Sequence, residues 1–455
     1  MSIQTINPSN GEIIATYETM SATDVNTIIE QTQVAYLEWS QQTLQQRSAS
    51  ILLLSELLLD EKQQYAELMA IEMGKPITAG IAEVEKCAKL CRYYASKATD
   101  FLQPRLVSTA HQKSYVCYQA LGIILAIMPW NFPLWQVFRF AVPNLILGNA
   151  CLLKHAPIST GTALIIEKII RQAGFTKHIF RTLVITETQV KGIIENHHVK
   201  GVTLTGSERA GKAVAAIAGS VIKKTVMEMG GSDPYIILED ANLEQAAKTC
   251  VTSRILNSGQ VCIAAKRLIV VNSRYDRFVQ LIINELEQII IGDPLDSNTT
   301  IGPLARADLR LKLHQQVQKS IAQGAKLVLG GILPTGKGFY YPPTLLLNVK
   351  PGMPAYDEEL FGPVVCVLRA DDQAHAITLA NDTRFGLGAA VFTADLIKGE
   401  KIARDHLQAG NCCVNSMVTS DPRLPFGGIK QSGYGRELAA EGLYEFANIK
   451  TVVIN

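Results

Sequence analysis

Three polar side chains, Cys262, Asn131 and Glu228, stand in separate segments marked by glycine or proline, and their types suit carbonyl chemistry. A cysteine thiolate attacks a carbonyl carbon, an amide N–H stabilises the oxygen that becomes negative, and a carboxylate deprotonates a water molecule. Such a set fits the oxidation of an aldehyde through a thioester. Each residue also has a structural alternative: a buried inert thiol, an asparagine in a turn, and an exposed carboxylate at a strand end.

The composition bounds the size and the partners of the protein. A chain of 455 residues is too long for one hydrophobic core and predicts two or three domains. With 47% hydrophobic and 18% charged residues, it is ordinary for an α/β enzyme. The 43 basic and 41 acidic residues give a formal charge of +2 without a lysine- or arginine-rich run, which argues against a nucleic-acid or anionic-membrane partner.

No targeting or membrane-spanning segment is recognisable. Residues 1–8 lack a basic region followed by an apolar one, and no apolar run reaches about 18 residues. We therefore expect a cytoplasmic protein. The nine cysteines lack paired metal-ligand spacing, so no metal site is expected, and all except Cys262 are expected to be free thiols in a reducing compartment.

The hydrophobic pattern predicts a helical lead-in followed by two α/β blocks. Residues 22–100 read as long helices, with a capping region that begins at Ser21. From Gly122 onward, short apolar runs alternate with amphipathic segments, which predicts parallel, doubly wound sheets with a boundary near Gly230 and Gly231. The predicted strands are 123–128, 150–153, 180–185, 201–204, 235–238, 268–271, 326–329 and 364–368, and the predicted helices include 160–172 and 277–290.

The last residues, 448–454, also read as a strand. An unpaired strand there would be an aggregation hazard. We expect it to pair with another strand, which could belong to a second subunit.

Five motifs occur in order along the chain and carry a family resemblance. They are Pro-Trp-Asn-Phe-Pro at 129–133, Glu-Met-Gly-Gly at 228–231, Asn-Ser-Gly-Gln-Val-Cys at 257–262, Glu-Glu-Leu-Phe-Gly-Pro at 358–363 and Pro-Phe-Gly-Gly at 425–428. With them the chain resembles the aldehyde dehydrogenase superfamily over essentially its whole length. Leu-Lys-His-Ala-Pro at 153–157 and Gly-Ser-Asp-Pro at 231–234 make it most similar to the short bacterial succinate-semialdehyde dehydrogenases.

The resemblance implies an α/β fold of the aldehyde dehydrogenase type, with two doubly wound α/β domains and a small β oligomerisation segment. Residues 1–101 and 121–230 would form the cofactor-binding domain, 231–430 the catalytic domain, and 102–120 with 431–455 the oligomerisation segment. A hairpin within 102–120 and the C-terminal strand would reach a partner in a homodimer or homotetramer.

The resemblance also assigns the catalytic roles. Cys262 would be the nucleophile, and Asn131 with the backbone N–H of Cys262 would form the oxyanion hole. Glu228 would activate the water that hydrolyses the thioester, so burial should raise its pKa toward the working pH. A hydrolytic glutamate separates such enzymes from relatives that transfer the acyl group to coenzyme A.

A nicotinamide dinucleotide, NAD or NADP, is the implied cofactor. Its expected contacts are Trp130, Lys154, Pro157, Gly206, Ser207, Gly211, Glu359 and Phe361. Gly206 and Ser207 form a turn between a strand and a helix, where N–H groups can meet a pyrophosphate. Glu359 and Phe361 would position the nicotinamide ribose and Lys154 the adenosine ribose; the alternatives are a surface ion pair and core packing.

Pro157 departs from the pattern of strictly NAD-dependent relatives, which commonly carry a glutamate three residues after the equivalent of Lys154. Loss of that carboxylate removes repulsion toward a 2′-phosphate, and Lys154 with His155 could attract the phosphate. NADP should therefore be usable, although Pro157 could also serve only to shape the loop.

The resemblance implies an acid semialdehyde as the substrate, whose distal carboxylate needs an arginine. Arg139, eight residues after Asn131, is the expected ligand, with a structural ion pair as the alternative, and Ser420 is its hydroxyl partner. Trp135 and Phe426 would line an aromatic tunnel, or simply pack in the core. Many relatives carry a second substrate arginine where this chain has Leu256. Arg254 and Arg423 are the candidates to replace its positive charge.

The implied reaction is NAD(P)-dependent oxidation of succinate semialdehyde to succinate. The Leu256 departure keeps open a broader aldehyde range or another ω-semialdehyde such as glutarate semialdehyde. Two other classes are a cofactor-binding protein that has lost turnover and a cysteine hydrolase without nicotinamide. The intact Cys262, Asn131 and Glu228 argue against the first, and the lack of a histidine in the motifs argues against the second.

Overall fold

The N-terminal region is a β-hairpin followed by four helices in the computed structural model, which describes residues 1–455. Its elements are β1 (Ser2–Ile6), β2 (Ile13–Glu18), α1 (Ala22–Trp39), α2 (Leu44–Asp60), α3 (Lys62–Met73) and α4 (Ile77–Leu102). The predicted cap of α1 is confirmed, because the Ser21 hydroxyl accepts the Asp24 N–H and the Asp24 carboxylate accepts the Ser21 N–H. The long helix α4 packs on α2, α3 and the first helix of the next region.

The first α/β region carries a six-stranded sheet. Its elements are β3 (Arg105–Leu106), β4 (Lys113–Ala120), β5 (Ile123–Met128), α5 (Trp135–Leu147), β6 (Ala150–His155), α6 (Thr160–Gln172), β7 (Phe180–Thr182), α7 (Val190–Glu195), β8 (Val199–Thr205), α8 (Glu208–Ser220) and β9 (Lys224–Glu228). The strands β9, β8, β5, β6 and β7 lie side by side in that order and run parallel. Their residues are almost all buried, as expected of a parallel sheet covered by helices on both faces.

The second α/β region carries a seven-stranded sheet. Its elements are β10 (Asp233–Ile237), α9 (Leu243–Ile255), β11 (Ala265–Val271), α10 (Tyr275–Glu287), α11 (Ala307–Ala322), β12 (Lys326–Leu329), β13 (Thr344–Leu347), α12 (Pro354–Asp357), β14 (Val364–Ala370), α13 (Gln373–Asn381), β15 (Gly388–Phe392), α14 (Leu396–Lys401) and β16 (Asn411–Val414). The order is β12-β13-β14-β11-β10-β15-β16, with only the β12–β13 pair antiparallel. Alternate residues of each strand enter separate cores on the two faces, such as Ile236 on one and Tyr235 on the other.

The C-terminal residues complete two different sheets. They form β17 (Gly433–Tyr434), α15 (Ala439–Tyr444) and β18 (Ala447–Ile454). Strand β18 pairs along its whole length with β4, which also pairs with β3, so its partner lies in the same chain rather than in a second subunit. Strand β17 pairs with β9 in the six-stranded sheet, although residues 431–455 were assigned by sequence to the oligomerisation segment.

Most predicted elements agree with the structure, and the differences lie at their ends. The strand expected over 180–185 ends at Thr182, because β7 is an edge strand and the next residues leave the sheet: the Val184 carbonyl accepts the Met20 N–H instead. The helix expected over 277–290 runs from Tyr275 to Glu287. No helix has both the length and the apolar character needed to cross a membrane.

Candidate active site

The order of the strands creates a crevice next to Asn131. From β5 the chain proceeds outward to β6 and β7, and then returns to the opposite side of β5 with β8 and β9. In open α/β sheets a ligand crevice forms where the strand order reverses, at the carboxyl ends of the strands. Here those ends are the turn after β5, which carries Asn131, and the Gly206–Ser207 turn after β8.

Cys262 follows a tight left-handed turn in the second α/β region. Asn257, Ser258 and Gly259 all have positive φ, at 51°, 56° and 76°. A side chain cannot replace the glycine hydrogen of Gly259, because a Cβ there would lie 2.3 Å from the carbonyl carbon of Gly362. The buried turn is held by side-chain hydrogen bonds, including one from the Ser258 hydroxyl to the Gly302 carbonyl at 3.1 Å. Its close packing fixes the position of Cys262.

The Cys262 thiol is partly exposed and lies among charged groups. Burial raises its pKa to about 12, the charges of Lys266 and Arg139 oppose that rise, and Glu359 and Glu228 add to it. The Lys266 ammonium donates to the carbonyls of Val261 and Cys262 and forms a 3.3 Å ion pair with Glu359. Lys266 therefore anchors the nucleophile loop and places a positive charge beneath the thiol.

Asn131 touches the cysteine loop directly. Its Nδ2 donates to the Gln260 carbonyl at 3.0 Å, and its own carbonyl accepts from Asn257 Nδ2 at 2.7 Å. A carboxamide carries two N–H groups. One N–H of the Asn131 side chain therefore binds the loop, and the other has no hydrogen-bond partner. The backbone N–H of Cys262 makes no hydrogen bond within the chain either. Two unpaired donors are therefore left, one on the loop that presents the thiol and one on the asparagine that contacts this loop.

A buried ion pair that sequence reasoning missed supports this arrangement. The Lys75 ammonium contacts the Glu83 carboxylate at 2.5 Å and donates to the Asn131 carbonyl at 2.8 Å. The other Glu83 oxygen accepts the N–H groups of Leu134 and Trp135, each at 2.9 Å, at the start of α5. The turn that carries Asn131 is thereby fixed from helix α4. The available signal in the sequence was an acidic and a basic residue eight positions apart, Lys75 just before α4 and Glu83 within it.

Glu228 ends β9 and is only 2% exposed. One of its carboxylate oxygens, Oε1, has no hydrogen-bond partner, and a Cβ on Gly427 would lie 2.8 Å from it. Burial raises the pKa of Glu228 well above its usual range, the negative charge of Glu437 raises it further, and Arg139 and Arg436 oppose the rise. A buried carboxyl with a free oxygen is suited to accept a proton from water.

The structure places the Arg139 guanidinium in an ion pair with Glu437. Arg139 is 2% exposed, lies 5.0 Å from the centre of the Phe426 ring and donates to the Thr205 hydroxyl at 3.4 Å. Only Nε of the guanidinium faces Glu437, so the role of Arg139 as ligand of a substrate carboxylate stays a prediction.

Ser420, expected beside Arg139, instead contacts Trp135, the other residue expected on the substrate side. The Trp135 indole N–H donates to the Ser420 hydroxyl at 3.1 Å. A third residue, Lys86 of α4, also donates to this hydroxyl at 2.7 Å, and its ammonium lies 4.1 Å from the centre of a Trp135 ring. Lys86 was not identified from the sequence. Its position three residues after Glu83 places both side chains on the same face of a helix, which was the available signal.

The two arginines considered as substitutes at Leu256 are otherwise engaged. Arg254 is fully buried and donates to the carbonyls of Gly259, Leu360 and Gly362, so it braces the cysteine loop. Arg423 is bound through two hydrogen bonds, at 2.8 and 2.7 Å, to the Asp421 carboxylate. Arg254 is therefore closed to a substrate, whereas Arg423 is an exposed residue paired with Asp421.

The turn after β8 fits a dinucleotide phosphate. Ser207 caps α8 by accepting the Ala210 N–H at 3.3 Å, which leaves earlier N–H groups of this helix free. A Cβ on Gly206 would meet only one side-chain carbon within 4 Å, so the space beside it is open. A Cβ on Gly211 would lie 2.3 Å from the Met229 sulfur, which shows why glycine is needed where helix and strand pack closely.

The other expected cofactor residues lie around the same crevice. The rings of Trp130 and Phe361 meet edge to face with centroids 5.8 Å apart. Glu359 accepts the Gly231 N–H at 3.2 Å, and a Cβ on Gly230 would lie 2.2 Å from one of its oxygens. Glu359 is therefore held between the glycine turn and Lys266 rather than on the surface.

Lys154 and His155 end β6, and Pro157 begins the next turn. Burial lowers the pKa of Lys154, while Glu187 opposes the change. Burial lowers the pKa of His155 to about 4, and its Nε2 faces the Pro133 carbonyl at 3.0 Å. His155 is thus neutral near pH 7 and points away from solvent, so the expectation that it attracts a phosphate is wrong. Lys154 alone retains that role as a prediction.

The fold and these residues agree with comparisons to known proteins. The aldehyde dehydrogenase family profile matches residues 1–452. A probable succinate-semialdehyde dehydrogenase [NADP(+)] of Synechocystis sp. is 45% identical over 454 residues, which cover all of both chains. The succinate semialdehyde dehydrogenase [NAD(P)+] Sad of Escherichia coli is 42% identical over 98% of this chain and 96% of its own. The chain belongs to the aldehyde dehydrogenase family.

Solved structures show the same architecture. The succinic semialdehyde dehydrogenase from Streptococcus pyogenes, crystallised in complex with NADP+, superimposes with a TM-score of 0.97 at 37% identity over 99% of both chains. Gox0499, described in a study of cofactor and substrate selection, superimposes with a TM-score of 0.98 at 38% identity over all of both chains. The predicted fold class, an aldehyde dehydrogenase-like α/β protein, is confirmed.

Proposed function

We propose that this protein oxidises succinate semialdehyde to succinate with NAD or NADP as the oxidant. The observation that carries the proposal is the pair of unpaired donors, the Cys262 N–H and one Asn131 N–H, beside the only thiol that the turn at 257–259 presents. The named activities of the relatives from Synechocystis sp., Escherichia coli and Streptococcus pyogenes support the choice of substrate.

The first half of the reaction uses Cys262 and its donors. Once the thiol loses its proton, Sγ bonds to the aldehyde carbon, and the carbonyl electron pair moves to oxygen. The Cys262 N–H and the Asn131 amide stabilise that negative oxygen, a contribution on the order of 3 kcal/mol per donor. Bound NAD(P)+ supplies the acceptor for the hydride. When the alkoxide re-forms the carbonyl, the C–H bond of the former aldehyde carbon would break, its hydride would pass to that acceptor, and a thioester would remain on Cys262.

The second half uses Glu228. Its raised pKa makes its carboxylate a stronger base than an exposed one, because desolvation disfavours the ionised form. Glu228 takes a proton from water, whose oxygen attacks the thioester carbon. The carbon–sulfur bond breaks, succinate leaves and Cys262 regains a proton.

The cofactor residues of this chain support use of both dinucleotides. Pro157 stands where a ribose-binding glutamate would repel a 2′-phosphate, and the Lys154 ammonium supplies attraction. The relatives carry NADP(+) or NAD(P)+ in their names. Trp130, Gly206, Ser207, Gly211, Glu359 and Phe361 would hold the rest of the dinucleotide.

A second candidate is a broader or longer ω-semialdehyde range that includes glutarate semialdehyde. Leu256 favours it, since a leucine that is 39% exposed cannot bind a carboxylate. Trp135 and Phe426 offer aromatic walls that also suit neutral aldehydes.

Steady-state reduction of NAD and NADP with succinate semialdehyde, glutarate semialdehyde and butanal tests the proposal. We expect the highest kcat/KM with succinate semialdehyde and no activity with Cys262→Ala. A highest kcat/KM with glutarate semialdehyde would favour the second candidate. Equal or better use of butanal would reject an acid-semialdehyde substrate altogether.

The proposal includes self-association through the β18-β4-β3 sheet. Apolar side chains on its outer strands are exposed, among them Leu106 at 71% and Ile449 at 57%. Light scattering measures the oligomeric state: we expect a dimer or a tetramer, and a monomer would contradict the proposed self-association.

A further inference from the structure

Helix α4 presents two charged side chains, one turn apart, to the candidate active site. Glu83 binds the N–H groups of Leu134 and Trp135, and thereby positions the turn after Asn131. Lys86 donates to the Ser420 hydroxyl at 2.7 Å and lies over the Trp135 ring. Lys86 therefore joins the two residues that the sequence placed on the substrate side.

The positive charge of Lys86 has no counter-charge in the structure. It makes no ion pair, because the nearby Glu83 is bound to Lys75 and Asp421 is bound to Arg423. Burial, together with the neighbouring Arg139, lowers the pKa of Lys86 to about 8 against the opposing effect of Cys87, Glu83 and Asp421. A partly buried ammonium without a carboxylate partner is costly, and an anionic ligand would relieve that cost.

The hydrogen-bond pattern at Ser420 points to the same ligand. Its hydroxyl oxygen accepts from both Lys86 and Trp135, so its lone pairs are engaged and its hydrogen is free to be donated elsewhere. An ammonium and a hydroxyl side by side can each bind one oxygen of a carboxylate. Of the nearby arginines, Arg254 donates to backbone carbonyls, Arg423 pairs with Asp421 on the surface, and Arg139 is paired with Glu437 through Nε.

The geometry points to Lys86, with Ser420, as the group that binds the distal carboxylate of an acid semialdehyde. This inference rests on the proposed function and supplies, beside Arg139, the second cation that Leu256 does not. Lys86 acts in substrate selection, since it binds the end of the substrate that does not react.

The test compares Lys86→Met, Lys86→Arg and the control Lys89→Met, an exposed lysine one turn further along α4. Two measurements are made on each: kcat/KM for succinate semialdehyde and for butanal, and inhibition of butanal oxidation by succinate. For Lys86→Met we expect KM for succinate semialdehyde and the inhibition constant of succinate to rise roughly 10- to 100-fold, as for loss of a charged hydrogen bond. Butanal oxidation should change far less, Lys86→Arg should recover much of the loss, and Lys89→Met should behave as wild type.

Two outcomes would overturn the assignment of Lys86. Succinate inhibition and succinate semialdehyde KM that do not change in Lys86→Met would show that another group binds the carboxylate. A parallel fall for both aldehydes with unchanged succinate inhibition would show that Lys86 only supports Trp135. Failure of the proposed substrate appears separately, in the wild type, as a preference for butanal. Thermal unfolding and butanal turnover establish that each variant is folded.

Discussion

The guanidinium of Arg139 on helix α5 and the carboxylate of Glu437 near the C-terminus form an ion pair that is almost completely buried. Removing one partner of such a pair leaves an uncompensated charge and costs about 3–5 kcal/mol, whereas replacing both by apolar residues is far less harmful. We expect Arg139→Met to lower the melting temperature by several degrees, and Arg139→Met/Glu437→Leu to recover most of it in thermal unfolding.

A different outcome for Arg139→Met would contradict a structural role of the ion pair. If Arg139→Met keeps the wild-type melting temperature and loses activity only with acid semialdehydes, the arginine serves the substrate and its ion pair with Glu437 has no structural importance.

Glu228 should control hydrolysis of the thioester and not its formation. Glu228→Gln removes the base while keeping the shape, so a stoichiometric burst of reduced cofactor should remain and steady-state turnover should fall by about 10²- to 10⁴-fold. Rapid-mixing absorbance at 340 nm measures both phases. The exposed Glu239→Gln is the matched control.

The pH dependence gives a second check on Glu228. Because its pKa is raised, the wild-type steady-state rate should rise with pH above the usual carboxyl range, as Glu228 ionises. A loss of the burst itself in Glu228→Gln, with no separate slow phase, would contradict this role.

The turn before Cys262 should tolerate no side chain at Gly259. An alanine there would require a positive φ and would clash with Gly362, so the thiol must move, and a displacement of about 1 Å can cost about 100-fold in rate. Gly192, in the middle of α7, has open space instead, because a Cβ there would meet no atom within 4 Å.

Gly192→Ala is therefore the control for Gly259→Ala. It should keep full activity and gain about 0.5–1 kcal/mol of stability from helix propensity. Thiol titration together with kcat/KM checks both variants, and a fully active Gly259→Ala would refute the account of the turn.

The cofactor preference should respond to a carboxylate at position 157. Pro157→Glu would place a negative charge near Lys154, so KM for NADP should rise at least about ten-fold, while KM for NAD changes little or falls. Steady-state kinetics with both dinucleotides measures the ratio. An equal rise in both constants would mean that Pro157 only shapes the loop.

Asp233 links stability to pH. Burial raises its pKa to about 7, with Glu359 adding to the rise and Lys266, the Gly388 N–H and Arg267 opposing it. Between about pH 4 and pH 7 the folded protein keeps this proton, whereas the unfolded chain releases it. The contribution of Asp233 to the free energy of unfolding is therefore complete below about pH 4 and is lost as the pH rises to about 7.

Asp233→Asn should remove this dependence. Its free energy of unfolding relative to that of wild type should increase from pH 5 to pH 8 by about 3 kcal/mol at most. Denaturant unfolding at both pH values measures the change. A constant difference across that range would show that Asp233 ionises normally in the folded protein.

The sequence by itself determined the family, the alternation of strands and helices, and the identity of Cys262, Asn131 and Glu228. These depend on local patterns: buried parallel strands are continuous apolar runs, and a left-handed turn needs Asn, Ser and Gly at fixed spacing. The cap at Ser21 and most strand positions were predictable for the same reason.

Only the tertiary structure decided which charges are free. Arg139, His155 and Arg254 look available in the sequence, but each is buried against a partner that lies elsewhere in the chain: Glu437, the Pro133 carbonyl and the Leu360 carbonyl. Lys86 donates to the Ser420 hydroxyl, 334 residues further along the chain, and makes no ion pair. Side-chain charge can be read from the sequence, whereas its neutralisation depends on contacts between segments that come together only when the chain folds.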